Sequence, residues 1–283
     1  MKESINDEGG ECFMYFITFS RKMGTNGSEI ARRVSDQLGY AFYDTEAIEN
    51  AAQQMGFLKD VKEIDEKAPS LFLRFFSKSP EVRLDRLHSV IYELASHGNA
   101  VFLGRGSHSL LRIFKCALHI RVIASLAKRI ENLVGRGWHR EVAIKAIQKS
   151  DHERGAFIRF AFEVDWDNPE VYDLVLNTDH LTVDMAVHTV LHIATSEEIR
   201  SRSVDAMRSL EMMGLARRAE AALIEAGLKH GPFVSVLEPG RIQLSGFVAE
   251  EITKTKAEEV LKTVKGVKSI DNQIQVVGLS GYG

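Results

Sequence analysis

A short apolar run followed at once by a glycine-containing turn and an amphipathic helix is the feature that most constrains this fold. Residues 14–19 are apolar or β-branched, which predicts a buried strand. Gly24 and Gly27 lie in the turn that follows, and from Ser28 to Leu38 the apolar residues recur on one helical face. Glycines let successive backbone N–H groups face inward, and the N-terminus of a helix attracts anions. The segment therefore predicts a phosphate-binding loop between a strand and a helix.

Three later runs rich in apolar residues, at residues 100–103, 117–123 and 171–176, each precede a turn or a helical stretch. Strands that alternate with helices are typical of an α/β fold with a mostly parallel sheet and right-handed crossovers. In such sheets, ligands bind at the carboxyl ends of the strands. We therefore predict a P-loop parallel sheet flanked by helices, with its ligand at the edge where the first strand ends.

After residue 193 the pattern changes, and a polar, charged stretch leads into a smaller unit. A helix is expected from about residue 204, followed by a hairpin-like pair of strands around a Pro-Gly turn, a second helix and a final strand at 269–277. This order predicts a small C-terminal α+β domain with the arrangement α-β-β-α-β. The predicted division of the chain is a flexible N-terminus at 1–13, a P-loop domain at 14–196, a linker at 197–203 and the small domain at 204–278.

The overall charge and the cysteine content exclude several classes of protein. A formal net charge of −3 over 283 residues gives no global excess of Lys and Arg for nucleic acid or an anionic membrane, so any phosphate site must be local. Cys12 and Cys116 are too few for a disulfide framework. The polar, acidic N-terminus does not resemble a signal peptide, and no run of about 18 apolar residues follows it. We expect a cytoplasmic protein without a membrane span, while a homo-oligomer stays open.

The loop departs from the usual pattern G-x-x-x-x-G-K-S/T, whose Lys contacts phosphates and whose Ser or Thr binds magnesium. With the start of the helix as the register, Arg21 and Asn26 replace the two glycines, Gly27 replaces the lysine, and Ser28 supplies the hydroxyl. Arg21 and Lys22 could restore the positive charge, or they could be a solvated surface pair. Ser28 could hold magnesium, or it could cap the helix. The pattern by itself leaves both interpretations open.

The stretch from Ser20 to Ala31, S-R-K-M-G-T-N-G-S-E-I-A, resembles the opening of the cytidylate kinase-like family, which commonly reads S-R-x-x-G-S-G-G-x-E-I-A. The resemblance covers about residues 14–194 and continues through residues 39–44, 104–106, Trp166 and 172–179. It implies the fold of nucleoside monophosphate kinases, with a phosphate loop, an acceptor-nucleotide region and an arginine-bearing lid. It also implies ATP and Mg²⁺ as cofactors, with CMP or dCMP as the favoured acceptor.

The family resemblance partly accounts for the missing lysine, whereas Asn26 at a usual glycine is a departure of this chain. Asparagine tolerates left-handed backbone geometry better than most residues do. The predicted ATP-binding residues are Arg21, Lys22, Gly24, Thr25, Asn26, Gly27 and Ser28, and Ser28 is also the predicted magnesium ligand.

Two further residues are predicted to bind the acceptor. Arg105 lies between two glycines directly after a predicted strand, where its side chain can reach a monophosphate bidentately. Asp44 resembles the acidic residue that opens the family's acceptor-nucleotide region, and it could otherwise cap the helix that begins near residue 45.

The predicted catalytic residues are Arg105, Arg129, Asp151 and Arg154, because phosphoryl transfer depends on positioning and on neutralising developing charge. Arg129 resembles an arginine of the family's fourth-strand region, although a solvated helix face also explains it. Asp151 and Arg154 resemble the lid's D-x-x-R, in which the Asp would help position the acceptor and the Arg would meet the transferring phosphate. A helical i,i+3 ion pair is the alternative.

Residues 236–277 resemble a BON domain, through I-Q-L-S-G-F-V at 242–248 and G-V-K-S-I-D-N-Q-I at 266–274. The resemblance implies that this module binds a protein partner or a small ligand, or mediates dimerisation. Two hypotheses follow for the whole chain. It is either a nucleoside monophosphate kinase with a regulatory or localising BON module, or a catalytically inactive nucleotide-binding regulator. The missing lysine and Asn26 favour the second.

Overall fold

The computed structural model describes residues 16–64, 80–114, 116–196, 206–228 and 232–277. The predicted flexible N-terminus at 1–13 and the predicted linker at 197–203 lie outside the described residues. The strands are β1 (Phe16–Arg21), β2 (Ala41–Tyr43), β3 (Ala100–Leu103), β4 (Ala117–Ile123), β5 (Leu174–Asn177), β6 (Pro232–Glu238), β7 (Arg241–Val248), β8 (Ser269–Asn272) and β9 (Gln275–Val276). The helices of the first part are α1 (Gly27–Leu38), α2 (Thr45–Gln54), α3 (Leu58–Glu63), α4 (Pro80–Ser96), α5 (Ser107–Leu110), α6 (Leu126–Val134), α7 (Arg140–Phe162) and α8 (Val183–Ala194). Those of the second part are α9 (Ala206–Glu225) and α10 (Glu251–Lys262).

The first five strands form a parallel sheet in the order β2-β3-β1-β4-β5. Phe16 at the start of β1 lies opposite Ala100 of β3 on one side and Ala117 of β4 on the other. The carboxyl ends of these three central strands therefore meet at one edge, where the loop after β1 begins. The predicted α/β fold, a parallel sheet flanked by helices, is confirmed.

The centre of this sheet is buried on both faces, which explains why consecutive residues of a strand are apolar, as in A-V-F-L of β3. On one face, α2, α3, α4 and α7 pack against Phe16 and Phe102. On the other face, α1 and α8 pack against Ile17, Phe19 and Val101. All of these strand side chains are at most 1% exposed. The two apolar layers hold the strand ends, and hence the loop between β1 and α1, in a fixed position.

One strand boundary differs from the sequence prediction. The apolar run at 171–176 was expected to be a strand throughout, yet β5 begins only at Leu174 because Pro169–Val171 form a 3₁₀ turn. The Asn168 side chain caps this turn by accepting a hydrogen bond from the Glu170 amide at 3.0 Å. Asn and Pro together favour such a turn over an extended strand.

The small C-terminal domain follows the predicted α-β-β-α-β order, with one correction at its end. β6 and β7 form an antiparallel hairpin, and β8 runs parallel to β7. The single strand expected at 269–277 is two strands, because the strand is interrupted at residues 273–274, where Ile274 is buried. At this interruption the Asn272 side chain accepts from the Ile274 amide at 3.3 Å.

Helix α9 contributes to the cores of both parts of the chain. Leu210 is buried in the same apolar cluster as α4, whereas Leu215, Ala219 and Leu223 are buried against β7 and α10. The predicted domain division stays a prediction, but α9 physically joins the two units. Among the described helices, none combines the length and apolar character that crossing a membrane requires.

Candidate functional site

The loop between β1 and α1 has the left-handed backbone that its glycine positions require. Gly24 has φ +83°, and a Cβ atom there would lie 2.7 Å from the Arg129 carbonyl oxygen. Asn26 has φ +61° and immediately precedes α1, so asparagine supplies the conformation that glycine supplies in the family pattern. The Thr25 hydroxyl closes the loop by donating to the Lys22 carbonyl at 2.8 Å. The chain's departure at Asn26 therefore preserves a left-handed phosphate-loop backbone.

A cavity of about 290 Å³ opens at this loop, beside the N-terminus of α1. Its lining contains four basic side chains, those of Arg21, Lys22, Arg136 and Arg154, and one acidic side chain, that of Glu29. All seven predicted ATP-binding residues line it: Arg21, Lys22, Gly24, Thr25, Asn26, Gly27 and Ser28. A cationic cavity at a helix N-terminus attracts phosphate groups. The structure thus brings the predicted loop residues together around one electropositive space.

Arg154 is the predicted lid residue that the structure places at this cavity. It projects from α7, and its Nη1 donates to the Arg21 carbonyl oxygen at 3.1 Å. Arg154 also lines a small second cavity with Ser20, Gly104 and Gly106. It therefore lies between the loop and the turn after β3, and its contact with a transferred phosphate stays a prediction.

Arg129 and Asp151 bind each other rather than facing solvent. The two terminal nitrogens of Arg129 donate to the two carboxylate oxygens of Asp151, each at 2.7 Å, and Arg129 Nε donates to the Met23 carbonyl at 2.6 Å. Arg129 is only 4% exposed, so the alternative of a solvated helix face is wrong. Bidentate Arg–carboxylate pairs are strong and geometrically specific. The pair connects α7, which carries Arg154, to the loop after β1. A direct catalytic role for Arg129 or Asp151 stays a prediction.

Arg105 is completely buried and takes a strained backbone. It has φ +57° between Gly104 and Gly106, which also have positive φ, and a non-glycine residue in this conformation points to a functional constraint. Its Nη1 donates to the Val61 carbonyl of α3 at 3.1 Å, and its Nη2 donates to Glu49 of α2 at 3.0 Å. In this structure the guanidinium therefore connects β3 to α2 and α3, and its contact with an acceptor phosphate stays a prediction.

Asp44 and Ser28 were each given two interpretations. Asp44 caps α2, accepting from the Ala47 amide at 3.1 Å, and it also pairs with Arg32 at 3.2 Å. The capping interpretation is therefore correct, and a second role in acceptor binding stays a prediction. Asn26, not Ser28, occupies the N-cap position of α1, and its side chain makes no capping hydrogen bond. Ser28 is exposed and lines the loop cavity, where its hydroxyl is free of a capping role.

A network behind the loop, buried at Arg121 and exposed at Asp167, was missed by sequence reasoning. Lys22 Nζ lies 2.9 Å from Asp167 Oδ1, and the same oxygen accepts from Arg121 Nη2 at 2.8 Å. Arg121 is 2% exposed, donates to Ser20 Oγ at 2.7 Å, and lies 3.7 Å above the Trp166 ring. Burial alone would raise the pKa of Asp167, but the hydrogen bonds and charges of Lys22 and Arg121 outweigh it and lower that pKa. The only sequence signal was Trp166, whose partners lie far away in the chain.

A third cavity, of about 270 Å³, also borders the loop. It is lined by Asn26, by Lys128 and Asn132 of α6, and by residues 178–183 after β5. Asn26 borders this third cavity and the cavity of about 290 Å³ at the loop. Its Oδ1 accepts from Arg136 Nη2 at 2.5 Å. The pattern of the sequence gave no reason to associate these segments.

Comparisons with known proteins agree with this geometry. Residues 16–180 match the cytidylate kinase-like family, and residues 215–278 match the BON domain. In the comparison with curated proteins, none matches the chain.

Several solved structures resemble the first part of the chain. An uncharacterized protein from Eubacterium ventriosum ATCC 27560 aligns with a TM-score of 0.53 at 17% identity, covering 64% of this chain and 98% of that one. Shikimate kinase from Bacteroides thetaiotaomicron aligns with a TM-score of 0.38 at 9% identity, covering 64% and 98%. A gluconokinase from Sinorhizobium meliloti 1021 aligns with a TM-score of 0.41 at 12% identity, covering 64% and 91%. The family match extends over more than half of the sequence, and the chain therefore belongs to the cytidylate kinase-like family.

Proposed function

We propose that this protein transfers the γ-phosphate of ATP, with Mg²⁺, to a nucleoside monophosphate, and that CMP or dCMP is the favoured acceptor. The observation that carries the proposal is the electropositive cavity at the left-handed loop before α1. Phosphoryl transfer needs little covalent chemistry from the protein, because positioning and charge neutralisation provide most of the catalysis. A loop of backbone N–H groups with four basic side chains supplies both.

The residues at the loop fit a nucleoside triphosphate. A Cβ atom at Gly24 or Gly27 would lie 2.7 Å from neighbouring atoms, so the backbone there is packed closely and its shape is fixed. The phosphates would occupy the loop cavity, and the base would occupy the adjoining space beyond Asn26. Ser28 is the residue that would hold Mg²⁺, which when bound neutralises charge on the phosphate oxygens. Lys22 and Arg154 would then contact the phosphates directly.

The acceptor would approach from the turn after β3. Ser20, Arg21, Gly106 and Arg154 line the small cavity between this turn and the phosphate loop. The Glu49 carboxylate now binds Nη2, on one side of the guanidinium fork of Arg105. Arg105 would contact the acceptor phosphate if that phosphate displaced the carboxylate. The ion pair between Arg129 and Asp151 would hold α7, and with it Arg154, in position for both substrates.

The test is an assay of the purified protein with ATP, Mg²⁺ and each nucleoside monophosphate in turn, with ADP and nucleoside diphosphate measured together. Arg154→Ala should lower turnover at least about tenfold, because it removes a charge-assisted contact worth more than about 1.4 kcal/mol. Arg159→Ala is the matched control, since Arg159 is an exposed arginine on the same helix. No nucleoside diphosphate from any acceptor would refute the kinase proposal.

The second candidate is a nucleotide-binding regulator without catalysis. The observation that favours it is the hydrogen bond from Arg136 to Asn26. This bond holds a cationic side chain of the cavity at a position where the family commonly has glycine. Asn26→Gly would release Arg136 for the phosphates. A regulator is supported if ATP binds to the unaltered protein without turnover and Asn26→Gly does not restore it.

A further inference from the structure

Helix α9, which opens the C-terminal domain, packs along α4 of the kinase-like domain. Gly214 lies at this contact, where a Cβ atom would be 3.5 Å from Tyr92 Cβ, an ordinary van der Waals distance. Two polar contacts cross the same interface at 3.5 Å: Arg218 pairs with Glu93, and Arg217 meets Asp85, whose pKa is raised to about 7 by burial. The contact therefore combines apolar packing with charge complementarity along the length of both helices.

Helix α4 also packs against α3, a helix of six residues. A helix this short is not stable alone and depends on tertiary contacts. Arg86 of α4 supplies two of them: its Nη1 donates to Asp60, and its guanidinium lies 5.0 Å from the Phe57 ring. Arg83 of α4 adds an ion pair to Glu63 at 2.6 Å. The position of α3 is thus set by arginines of α4.

Arg86 also reaches the C-terminal domain. Its Nη2 lies 2.5 Å from Glu225 Oε1 at the end of α9, so one guanidinium is shared between Asp60 and Glu225. The guanidinium fork is planar and rigid, which means that an anion on one nitrogen restricts the direction of the other. Glu225 therefore helps to fix the orientation in which Arg86 holds α3.

From α3 the contacts continue to the candidate site. The Val61 carbonyl of α3 accepts from Arg105 Nη1, and Arg105 lies in the strained turn after β3. The path from the C-terminal domain thus runs from Glu225 through Arg86 and α3 to Arg105. Each step is a direct contact between described residues.

From this path we infer that the C-terminal domain positions the acceptor half of the kinase site, with Glu225 as a positioning residue that acts through Arg86 on α3 and Arg105. The inference rests on the proposed function in one respect, namely that α2, α3 and Arg105 receive the acceptor. It gives the second domain a defined role: movement of α9, or a ligand that shifts it, changes acceptor binding and leaves the ATP loop unaffected.

The test compares Glu225→Gln with the unaltered full-length protein. The variant keeps the size of the side chain and removes its charge. Glu259→Gln is the control, because Glu259 is an exposed glutamate on α10 that undergoes the same charge change. Hydrogen exchange of the backbone amides in α3 and α6 is measured by mass spectrometry, and the KM values for acceptor and ATP are measured separately.

We expect faster exchange in α3, unchanged exchange in α6, and an acceptor KM raised about threefold to tenfold with the KM for ATP unchanged. Arg86→Lys, which keeps the charge and loses the fork, should give the same pattern, and adding Glu225→Gln to it should change little more. Equal exchange in α3 of the variant and the unaltered protein would overturn the inference. Because the exchange experiment needs no turnover, faster exchange in a protein that phosphorylates no acceptor would separate failure of the kinase proposal from failure of the contact path.

Discussion

His88 of α4 is a buried histidine that should make the protein sensitive to acid. It is 7% exposed, its ring stacks on Phe162 at 5.4 Å, and neither ring nitrogen has a hydrogen-bond partner among the residues that the structure describes. Burial, with a smaller contribution from the charge of Arg217, lowers the pKa of His88 from 6.5 to about 3. The folded protein therefore keeps this ring neutral at pH values where the unfolded chain protonates it.

The sign and size of the effect follow from linkage. Stability from the neutral ring is fully present above about pH 6.5 and is lost as the pH falls toward 3, because only the unfolded state binds the proton in that range. At pH 5 the loss is about 2 kcal/mol, from about 1.4 kcal/mol for each of about 1.5 pH units. His88→Phe retains a ring that can stack on Phe162 and removes the titration.

The measurement is urea unfolding of both proteins at pH 8, 6.5 and 5. The difference in unfolding free energy between His88→Phe and the unaltered protein should shift in favour of the variant by about 2 kcal/mol from pH 8 to pH 5. The free-energy difference at pH 8 already includes any cost of fitting the larger ring. Only the change of that difference with pH is therefore interpreted. His97→Phe, at an exposed position just after α4, controls for loss of an imidazole. Equal loss of stability in the variant and the unaltered protein would refute the reasoning.

Three further substitutions test the packing and the charges described above. Gly106→Ala should destabilise the protein by about 2–5 kcal/mol in urea unfolding, because the residue has φ +72° and the new Cβ would lie 2.1 Å from Phe162 Cε2; an unchanged midpoint would contradict that contact. Asp167→Asn should weaken the hold on Lys22 and change the KM for ATP more than that for the acceptor, and equal changes would argue against a role at the loop. Leu210→Ala should cost about 2–5 kcal/mol, since this α9 side chain is fully buried against α4, and a cost below about 1 kcal/mol would show that α9 is not part of that core.

Local patterns in the sequence were sufficient for most of the fold. The predicted strands at 100–103 and 117–123 coincide with β3 and β4, because short segments rich in apolar and β-branched residues favour strands. The predicted strand at 171–176 was too early, since the Asn168 cap and the following proline start a 3₁₀ turn instead. The final strand was too long, because Ile274 leaves the ladder to enter the core of the small domain.

The candidate site was predicted less evenly. The seven predicted loop residues line one cavity because they fall within a single short segment, and backbone shape around Gly24 and Asn26 is a local property. The catalytic role of Arg129 stays a prediction, and its pairing with Asp151 joins two residues that no helical spacing connects. Arg105 was picked out for its flanking glycines, whereas its burial against Glu49 and Val61 depends on helices that precede it by more than forty residues.

The sequence by itself determined the order of elements, the phosphate loop, the family and the presence of a second domain, since each of these depends on residues close together in the chain. Tertiary structure alone decided the partners of the charged side chains. Lys22 meets Asp167, Arg121 stacks on Trp166, and Arg86 joins α3 to α9 only because the sheet and its helices bring distant segments together. A charged residue carries no local signal of its partner, because the same side chain is equally compatible with solvent until folding buries it.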